Sequence, residues 1–98
     1  MRYKLSRQAE EDIVELYLAG AAGFGVTQAE RYHEGLKATL EFLAEYPMAA
    51  RERTEISPPV RVHPYRAHLV VYRIEGHDIL IIRLRHGHEN WQASPASD

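Results

Sequence analysis

The first third of the chain has apolar residues at helical spacing. Tyr3–Leu5 is a short strand candidate, and Ser6 after it is a candidate helix N-cap. The apolar positions that follow are three or four residues apart, which predicts an amphipathic helix. They are Ala9, Ile13, Leu16, Tyr17 and Gly20. Glycines tend to interrupt helices, so Gly20 and Gly23-Phe24-Gly25 are expected to break this one.

A second amphipathic helix is predicted after the glycines. Thr27-Gln28-Ala29-Glu30 matches a capping box, in which the threonine hydroxyl and the glutamate carboxylate bind free backbone amides. Tyr46-Pro47 should end the helix, because the residue before a proline disfavours helical geometry. Two helices joined by a short glycine loop form an antiparallel hairpin. The predicted buried stripe of this helix consists of Ala29, Tyr32, Leu36, Leu40 and Leu43.

The second half of the chain has the patterns expected of strands. Residues 48–59 follow a proline, contain two more and carry several charges, so they are predicted to be a loop. Val60–His63 is a short strand. Ala67–Ile74 and Asp78–Arg85 are stronger strands, and Glu75-Gly76-His77 between them indicates a β-hairpin.

This order of elements predicts an α+β fold: an N-terminal strand, an antiparallel helix hairpin packed on one face, and then a three-stranded antiparallel sheet. We expect residues 1–91 to form this single domain. Residues 92–98 are expected to be a flexible tail.

Side chains alternate along the last two strands and can therefore be assigned to faces. The face predicted to lie under the helices carries Leu80, Ile82 and Leu84. The other face carries Ile79, Ile81, Arg83 and Arg85. If the hairpin loop has an even number of residues, that face also receives His68, Val70 and Tyr72, whereas an odd number would break the grouping. The strand pattern thus predicts a half-apolar outer face with a cationic end.

Composition excludes several classes of protein. The 98 residues suit one domain, and 45% hydrophobic with 27% charged residues is typical of globular proteins. Without cysteine there is neither a disulfide nor a thiolate metal site. No run approaches the about 18 apolar residues of a membrane span. The start, MRYKLSRQ, lacks the apolar core of a signal peptide. We expect a complete, cytoplasmic chain with no membrane association.

The net charge of −2 conceals an asymmetry between the two halves. Residues 1–50 hold five cations and eight anions, a net −3. Residues 61–88 hold five arginines against two anions, a net +3, together with five of the six histidines. Such a separation indicates how partners are recognised, not how the chain folds.

Five segments spread over nearly the whole chain carry a family resemblance. They are YKLSRQAEEDIVELY, FGVTQAERYHEGLKATLEFLAEYP, the turn Arg61-Val62-His63-Pro64, HLVVYRI and IIRLRHGHENW. Each segment alone is weak. In this order and spacing, from about residue 2 to residue 91, they resemble the ParE branch of the RelE/ParE toxins. One departure is Arg85, where the family usually has an apolar residue before the histidine.

The resemblance implies a small bacterial toxin of a type II toxin–antitoxin system. It implies a cognate ParD-like antitoxin, encoded beside the toxin, whose C-terminal segment wraps and neutralises it. The implied target is DNA gyrase, inhibited by binding and not by catalysis. Accordingly, we expect no catalytic residues, no cofactor, no metal and no direct sequence-specific DNA binding by this chain alone.

Two sets of residues are candidates for these contacts. Guanidinium groups bind carboxylate and phosphate, and tryptophan is a frequent interface hot spot. On this basis the target-binding candidates are Arg61, Arg83, Arg85, His86 and Trp91. The antitoxin-binding candidates are Ile13, Leu16, Tyr17, Tyr32, Val70, Tyr72 and Arg73. Ordinary roles stay open as well: surface ion pairs for the arginines, a tail anchor for Trp91 and core packing for the tyrosines.

Two other functions are also compatible with the sequence. A ribosome-dependent mRNA endoribonuclease of the RelE type would gather Arg61, Arg83 and His86 around a phosphate. The chain has no tyrosine after Tyr72 and no lysine after Lys37, which disfavours that function. The third possibility is a module without toxicity that only binds the antitoxin. The histidines have no spacing specific to a metal site.

Overall fold

The computed structural model describes residues 1–87, which form two helices and a five-stranded sheet. The elements are β1 (Tyr3–Leu5), α1 (Arg7–Phe24), α2 (Val26–Glu45), β2 (Glu52–Arg53), β3 (Val60–Tyr65), β4 (His68–Glu75) and β5 (Asp78–His86). The predicted α+β class is confirmed, as is the order of strand, helix hairpin and strands.

The sheet is larger than predicted, and it is mixed. Its strand order is β1-β5-β4-β3-β2. β1 pairs in parallel with β5, with Tyr3 opposite Ile79. β2, inside the segment predicted to be a loop, pairs with Val60 and Arg61 of β3. The prediction of a three-stranded antiparallel sheet is therefore wrong, because strands of two or three residues are defined by their pairing partners and carry little pattern of their own.

Helix α1 begins as predicted but continues further. The Ser6 hydroxyl accepts a hydrogen bond from the Ala9 amide at 3.0 Å and caps the helix. The predicted break at Gly20 is wrong, since the helix runs to Phe24 and the chain turns at Gly25, where φ is 92°. A Cβ on Gly20 would lie 3.6 Å from the Ala29 Cβ, an ordinary van der Waals distance, so Gly20 faces Ala29 where the two helices pack together.

Helix α2 begins one residue before Thr27, and no side chain caps it. The predicted capping box is therefore wrong, because a connection of one residue leaves Gly25 itself at the N-cap. The helix ends at Glu45, as the Tyr46-Pro47 signal predicted. Four residues of the predicted stripe are buried: Ala29, Leu36, Leu40 and Leu43.

The main core lies between the helices and one face of the sheet. Ile79 and Ile81 share that face with Val70 and Tyr72, and the hairpin loop consists of two residues, as this grouping required. The grouping of these four residues is confirmed, but they form the core face and not the outer face. Arg83 and Arg85, which were predicted to share it, are instead opposite Val71 and Leu69, whose side chains belong to the other face. On the opposite side a second cluster contains Val62, Val71, Leu80 and Ile82.

A β-bulge divides β5. Tyr72 is opposite Ile81 and Val71 is opposite Arg83, so Ile82 is an extra residue on this strand. Leu84 consequently packs in the main core, whereas Ile82 packs in the opposite cluster. The prediction that these two residues share a face is wrong, because strict alternation holds only in an unbroken strand.

Candidate partner-binding groove

The two arginines of β5 are buried. Arg83 is 7% exposed and Arg85 is 5% exposed. The Arg83 guanidinium donates to both carboxylate oxygens of Asp12, with Nε 2.7 Å from Oδ2 and Nη2 3.0 Å from Oδ1. The prediction that both arginines form an exposed cationic rim is wrong, because both are buried. For Arg83 the reason is the carboxylate that α1 brings against this end of the strand.

Asp12 and Ser6 attach α1 to the edge of β5. The Leu84 amide donates to Asp12 Oδ2 at 3.0 Å, and the Ser6 hydroxyl donates to the Ile82 carbonyl oxygen at 2.6 Å. β1 pairs with β5 only as far as Ile81, so these bonds give partners to the backbone groups of Ile82 and Leu84 that β1 does not reach. A bidentate carboxylate–guanidinium pair is directional as well as strong, so it fixes the position of α1 on the sheet.

The other predicted target-binding residues do not gather around Arg83. Arg61 Nη1 donates to the Ala50 carbonyl oxygen at 2.6 Å, on a strand that is two places from β5 in the sheet. His86 is exposed at the end of β5. The phosphate site expected of a ribonuclease is thus not assembled by Arg61, Arg83 and His86. Trp91, His88 and the predicted tail at 92–98 lie outside the described residues.

An apolar groove of about 530 Å³ lies between the helices at the end where they connect. α1 contributes Ile13, Leu16 and Tyr17 to its lining, and α2 contributes Tyr32 and Leu36. At the sheet the lining is completed by Ala67 in the β3–β4 turn, His68 at the start of β4 and His86 at the end of β5. The structure therefore brings together four of the predicted antitoxin-binding residues: Ile13, Leu16, Tyr17 and Tyr32. Their role in binding stays a prediction.

The remaining predicted antitoxin-binding residues lie outside the groove. Val70 and Tyr72 are 0% exposed. They therefore lie in the core and not on an interaction surface, contrary to the prediction. The Tyr72 hydroxyl donates to the Pro47 carbonyl oxygen at 2.9 Å, and burial raises the pKa of this phenol. Alternation alone could not tell which face of the sheet the helices cover. Arg73 is exposed and forms an ion pair of 3.0 Å with Glu75.

Aromatic and imidazole side chains form one end of the groove. Tyr32 Oη lies 2.6 Å from His68 Nδ1, and the His68 and His86 rings are 5.3 Å apart. The Tyr65 ring stands edge-on to Tyr32, and its hydroxyl donates to the Tyr32 carbonyl oxygen at 2.9 Å. Burial raises the pKa of the Tyr32 phenol, as does the neighbouring Tyr65.

Gly35 makes room for this arrangement. A Cβ at position 35 would overlap the Tyr65 hydroxyl and lie 3.2 Å from its Cζ atom. The sequence analysis did not select Tyr65 or Gly35, and it placed His68 only on a strand face. An unbroken hairpin with this even loop would place His68 opposite Arg85, and only the bulge at Ile82 puts His68 opposite His86. Patterns of neighbouring residues do not indicate that Tyr32 of α2 contacts His68.

Exposed apolar side chains extend from the groove around the helix connection. Phe24, which also lines the groove, is 74% exposed, and Leu18 is 60% exposed. Val14 and Val26 are likewise exposed. Clustered exposed apolar side chains are typical of sites that bind another macromolecule, and Phe24 links this set to the groove.

Within residues 1–87, neither helix has the length and apolar character needed to cross a membrane. The same part of the chain contains no cluster of three or more histidine, aspartate or glutamate side chains suited to a metal ion.

Comparison with known proteins gives consistent matches. A family model described as "ParE toxin of type II toxin-antitoxin system, parDE" matches residues 3–91. Toxin ParE1 of Caulobacter vibrioides is 33% identical over 91 residues, which cover 93% of this chain and 94% of that protein. Toxin ParE1 of Mycobacterium tuberculosis is 30% identical over 86 residues, covering 87% and 88%.

Among solved structures, one titled "Chromosomal ParDE TA system from P. aeruginosa" superimposes with a TM-score of 0.75. The match covers 88% of this chain and 95% of that chain at 21% sequence identity. At this identity the likeness shows a common fold.

Proposed function

The chain belongs to the ParE toxin family of type II toxin–antitoxin systems, and on that premise we propose that a ParD-like antitoxin neutralises it and that it inhibits DNA gyrase by binding. The C-terminal segment of the antitoxin occupies the groove between α1 and α2. The single observation that supports this docking site is the groove itself, which is lined by apolar side chains from both helices and bordered by exposed ones.

The dimensions and chemistry of the groove suit a protein segment. A volume of about 530 Å³ is enough for several apolar side chains. Covering apolar surface stabilises a complex by roughly 25 cal/mol per Å² before the costs of association. An amphipathic helix presents such anchors at every third or fourth residue, and a groove between two helices is a common receptor for it.

Co-purification of the chain with the product of the adjacent small gene tests the antitoxin proposal. We expect Leu16→Glu, which puts a charge into the groove, to weaken the complex at least about tenfold. Met48→Glu is the matched control, because Met48 is 71% exposed and lies outside the groove. Equal binding by the two variants, or no co-purification of the wild type, would contradict the proposed docking site.

The proposal of gyrase inhibition by binding is supported by family membership and by the arrangement of the basic residues. Arg61 and Arg83 make separate internal contacts and do not form a common phosphate site with His86. This arrangement favours recognition of a target over cleavage of RNA.

A gyrase assay with the purified chain tests this second proposal. We expect reduced supercoiling and an accumulation of cleaved DNA, while RNA in a parallel translation reaction stays intact. Codon-linked mRNA cuts that disappear in His86→Ala would contradict the proposal and favour a ribonuclease. Harmless overexpression in a bacterium without the antitoxin would leave only the antitoxin-binding role.

A further inference from the structure

Among residues 1–87, the ionisable side chains that line the groove are histidines and tyrosines. No aspartate, glutamate, lysine or arginine is among the described lining residues. His68 and His86 are directly opposite each other on β4 and β5, with ring centroids 5.3 Å apart. His33 lies on α2, and its ring is edge-on to Tyr17 of α1 at 6.1 Å. The groove is therefore apolar along the helices and carries a pair of imidazoles where it meets the sheet.

Tyr32 is a hydrogen-bond partner of His68. Its hydroxyl oxygen is 2.6 Å from His68 Nδ1 and 3.5 Å from the Tyr65 carbonyl oxygen. In neutral His68 the donor of the first bond depends on the tautomer. When His68 is protonated, Nδ1 donates to Tyr32 and the phenol proton turns toward Tyr65. In that protonated state Nε2–H is a hydrogen-bond donor as well.

The charged and titratable groups around this imidazole pair favour an anion. Tyr32 faces His68 from α2, and Tyr65 packs against Tyr32 from β3. His86 faces His68 from β5. Arg66, in the β3–β4 turn, is close enough for its charge to lower the pKa of Tyr32, although burial raises that pKa more. On the α1 side of the groove the titratable residue is Tyr17. Protonation of either imidazole would add positive charge at this end.

We propose that the segment bound in the groove places an aspartate or glutamate against His68 and His86, while its apolar side chains cover Ile13, Leu16 and Leu36. This inference rests on the proposed antitoxin site and specifies the chemistry of the segment that fills it. A carboxylate accepts hydrogen bonds from imidazole N–H groups and stabilises the imidazolium form. A lysine or arginine at the same position would be repelled by that form.

The proposal fixes the sign of a pH dependence. A carboxylate beside an imidazole raises the imidazole pKa in the complex above its value in the free chain, so binding is accompanied by proton uptake. The added affinity is complete below the pKa of the free imidazole and is lost as the pH rises through the pKa in the complex. A shift of one unit corresponds to a tenfold change in the dissociation constant. A segment without the carboxylate would instead bind more weakly on acidification.

The test measures the dissociation constant of the purified chain and the purified antitoxin encoded in the adjacent reading frame, between about pH 8 and about pH 6. For the wild type we expect binding to be about tenfold tighter at the lower pH. His86→Gln should reduce this difference, and His68→Gln combined with His86→Gln should remove it. His77→Gln is the matched control, since His77 is exposed in the turn at the other end of the β4–β5 hairpin.

Replacing each aspartate and glutamate of the antitoxin by its amide should reveal one position with the same loss of pH dependence. Leu16→Glu in this assay separates the two proposals. If Leu16→Glu abolishes binding but the wild type does not bind more tightly on acidification, the proposed carboxylate contact is wrong, while the groove is still the docking site. If Leu16→Glu binds like the wild type, the groove is not the docking site.

Discussion

The two ends of the helix hairpin carry similar apolar residues but differ in what lies beneath them. At the end away from the helix connection, Leu40 and Leu43 are at most 3% exposed because they pack on the sheet. At the connected end, Leu18 and Phe24 are 60% and 74% exposed. The helices are 18 and 20 residues long, or roughly 27 to 30 Å. The sheet covers Leu40 and Leu43, whereas Leu18 and Phe24 lie where it gives no such cover, and Phe24 lines the groove.

The largest expected effect concerns the bond that holds α1 in place. Asp12→Ala removes the carboxylate that pairs with buried Arg83 and accepts from the Leu84 amide. We expect the free energy of unfolding to fall by about 4 kcal/mol, because a buried guanidinium then loses its counter-charge. Chemical denaturation measures this loss.

Glu15→Ala on the same helix is the control for that experiment. Glu15 is exposed, so its removal should change the free energy of unfolding by less than about 0.5 kcal/mol. Similar losses in the two variants would show that the Asp12–Arg83 pair does not fix α1 on the sheet.

The same substitution at the two ends of the hairpin tests the comparison directly. Leu43→Ala leaves a cavity in the core, and we expect it to lower the free energy of unfolding by about 3 kcal/mol. Leu18→Ala should change it by less than about 0.5 kcal/mol. In an antitoxin-binding titration we expect the reverse order, with the larger loss of affinity in the Leu18 variant. If both variants are equally destabilised, the connected end is supported in solution.

Two helical glycines provide a smaller contrast. In Gly35→Ala the added Cβ would overlap Tyr65, and we expect a loss of about 1 to 2 kcal/mol from the forced movement of that ring. Gly23→Ala meets no atom within 4 Å, and we expect a gain of about 0.5 to 1 kcal/mol from the better helix propensity of alanine. Thermal unfolding of the two variants should therefore shift in opposite directions. A gain in both would show that Tyr65 moves aside without cost.

The smallest effect is a pH dependence away from the groove. The His63 ring lies 5.9 Å from the Phe42 ring, and burial lowers the pKa of His63. The unfolded chain therefore takes up this proton at a higher pH than the folded chain does. Stability should fall as the pH drops through about 6.5, the ordinary imidazole pKa, toward the lower folded-state value. In His63→Gln the free energy of unfolding should depend less steeply on pH, which denaturation at several pH values measures. An unchanged pH dependence would show that His63 does not cause it.

The wrong expectations about the site come from contacts between distant parts of the chain. The alternation in β5 is real, but the bulge at Ile82 changes the face of every later residue, including Leu84. The Asp12 carboxylate that binds Arg83 is 71 residues away on α1. Tyr32 and His68 are likewise 36 residues apart. Patterns of neighbouring residues do not report such pairs.

The sequence by itself determined both helices and four of the five strands within residues 1–87, most of the buried stripe of α2, and where α1 begins. These features depend on hydrophobic period, on the Ser6 cap and on the proline at position 47, all of which act within a few residues. The family resemblance also followed from the order and spacing of such local segments.

Only the tertiary structure decided that β1 and β2 extend the sheet, that Arg83 is an internal residue, and that the helices leave a groove ending at His68 and His86. Each of these features depends on the face that one element presents to another. That relation is set by the packing of the whole chain, since the same alternating pattern is compatible with either face until a helix covers one of them.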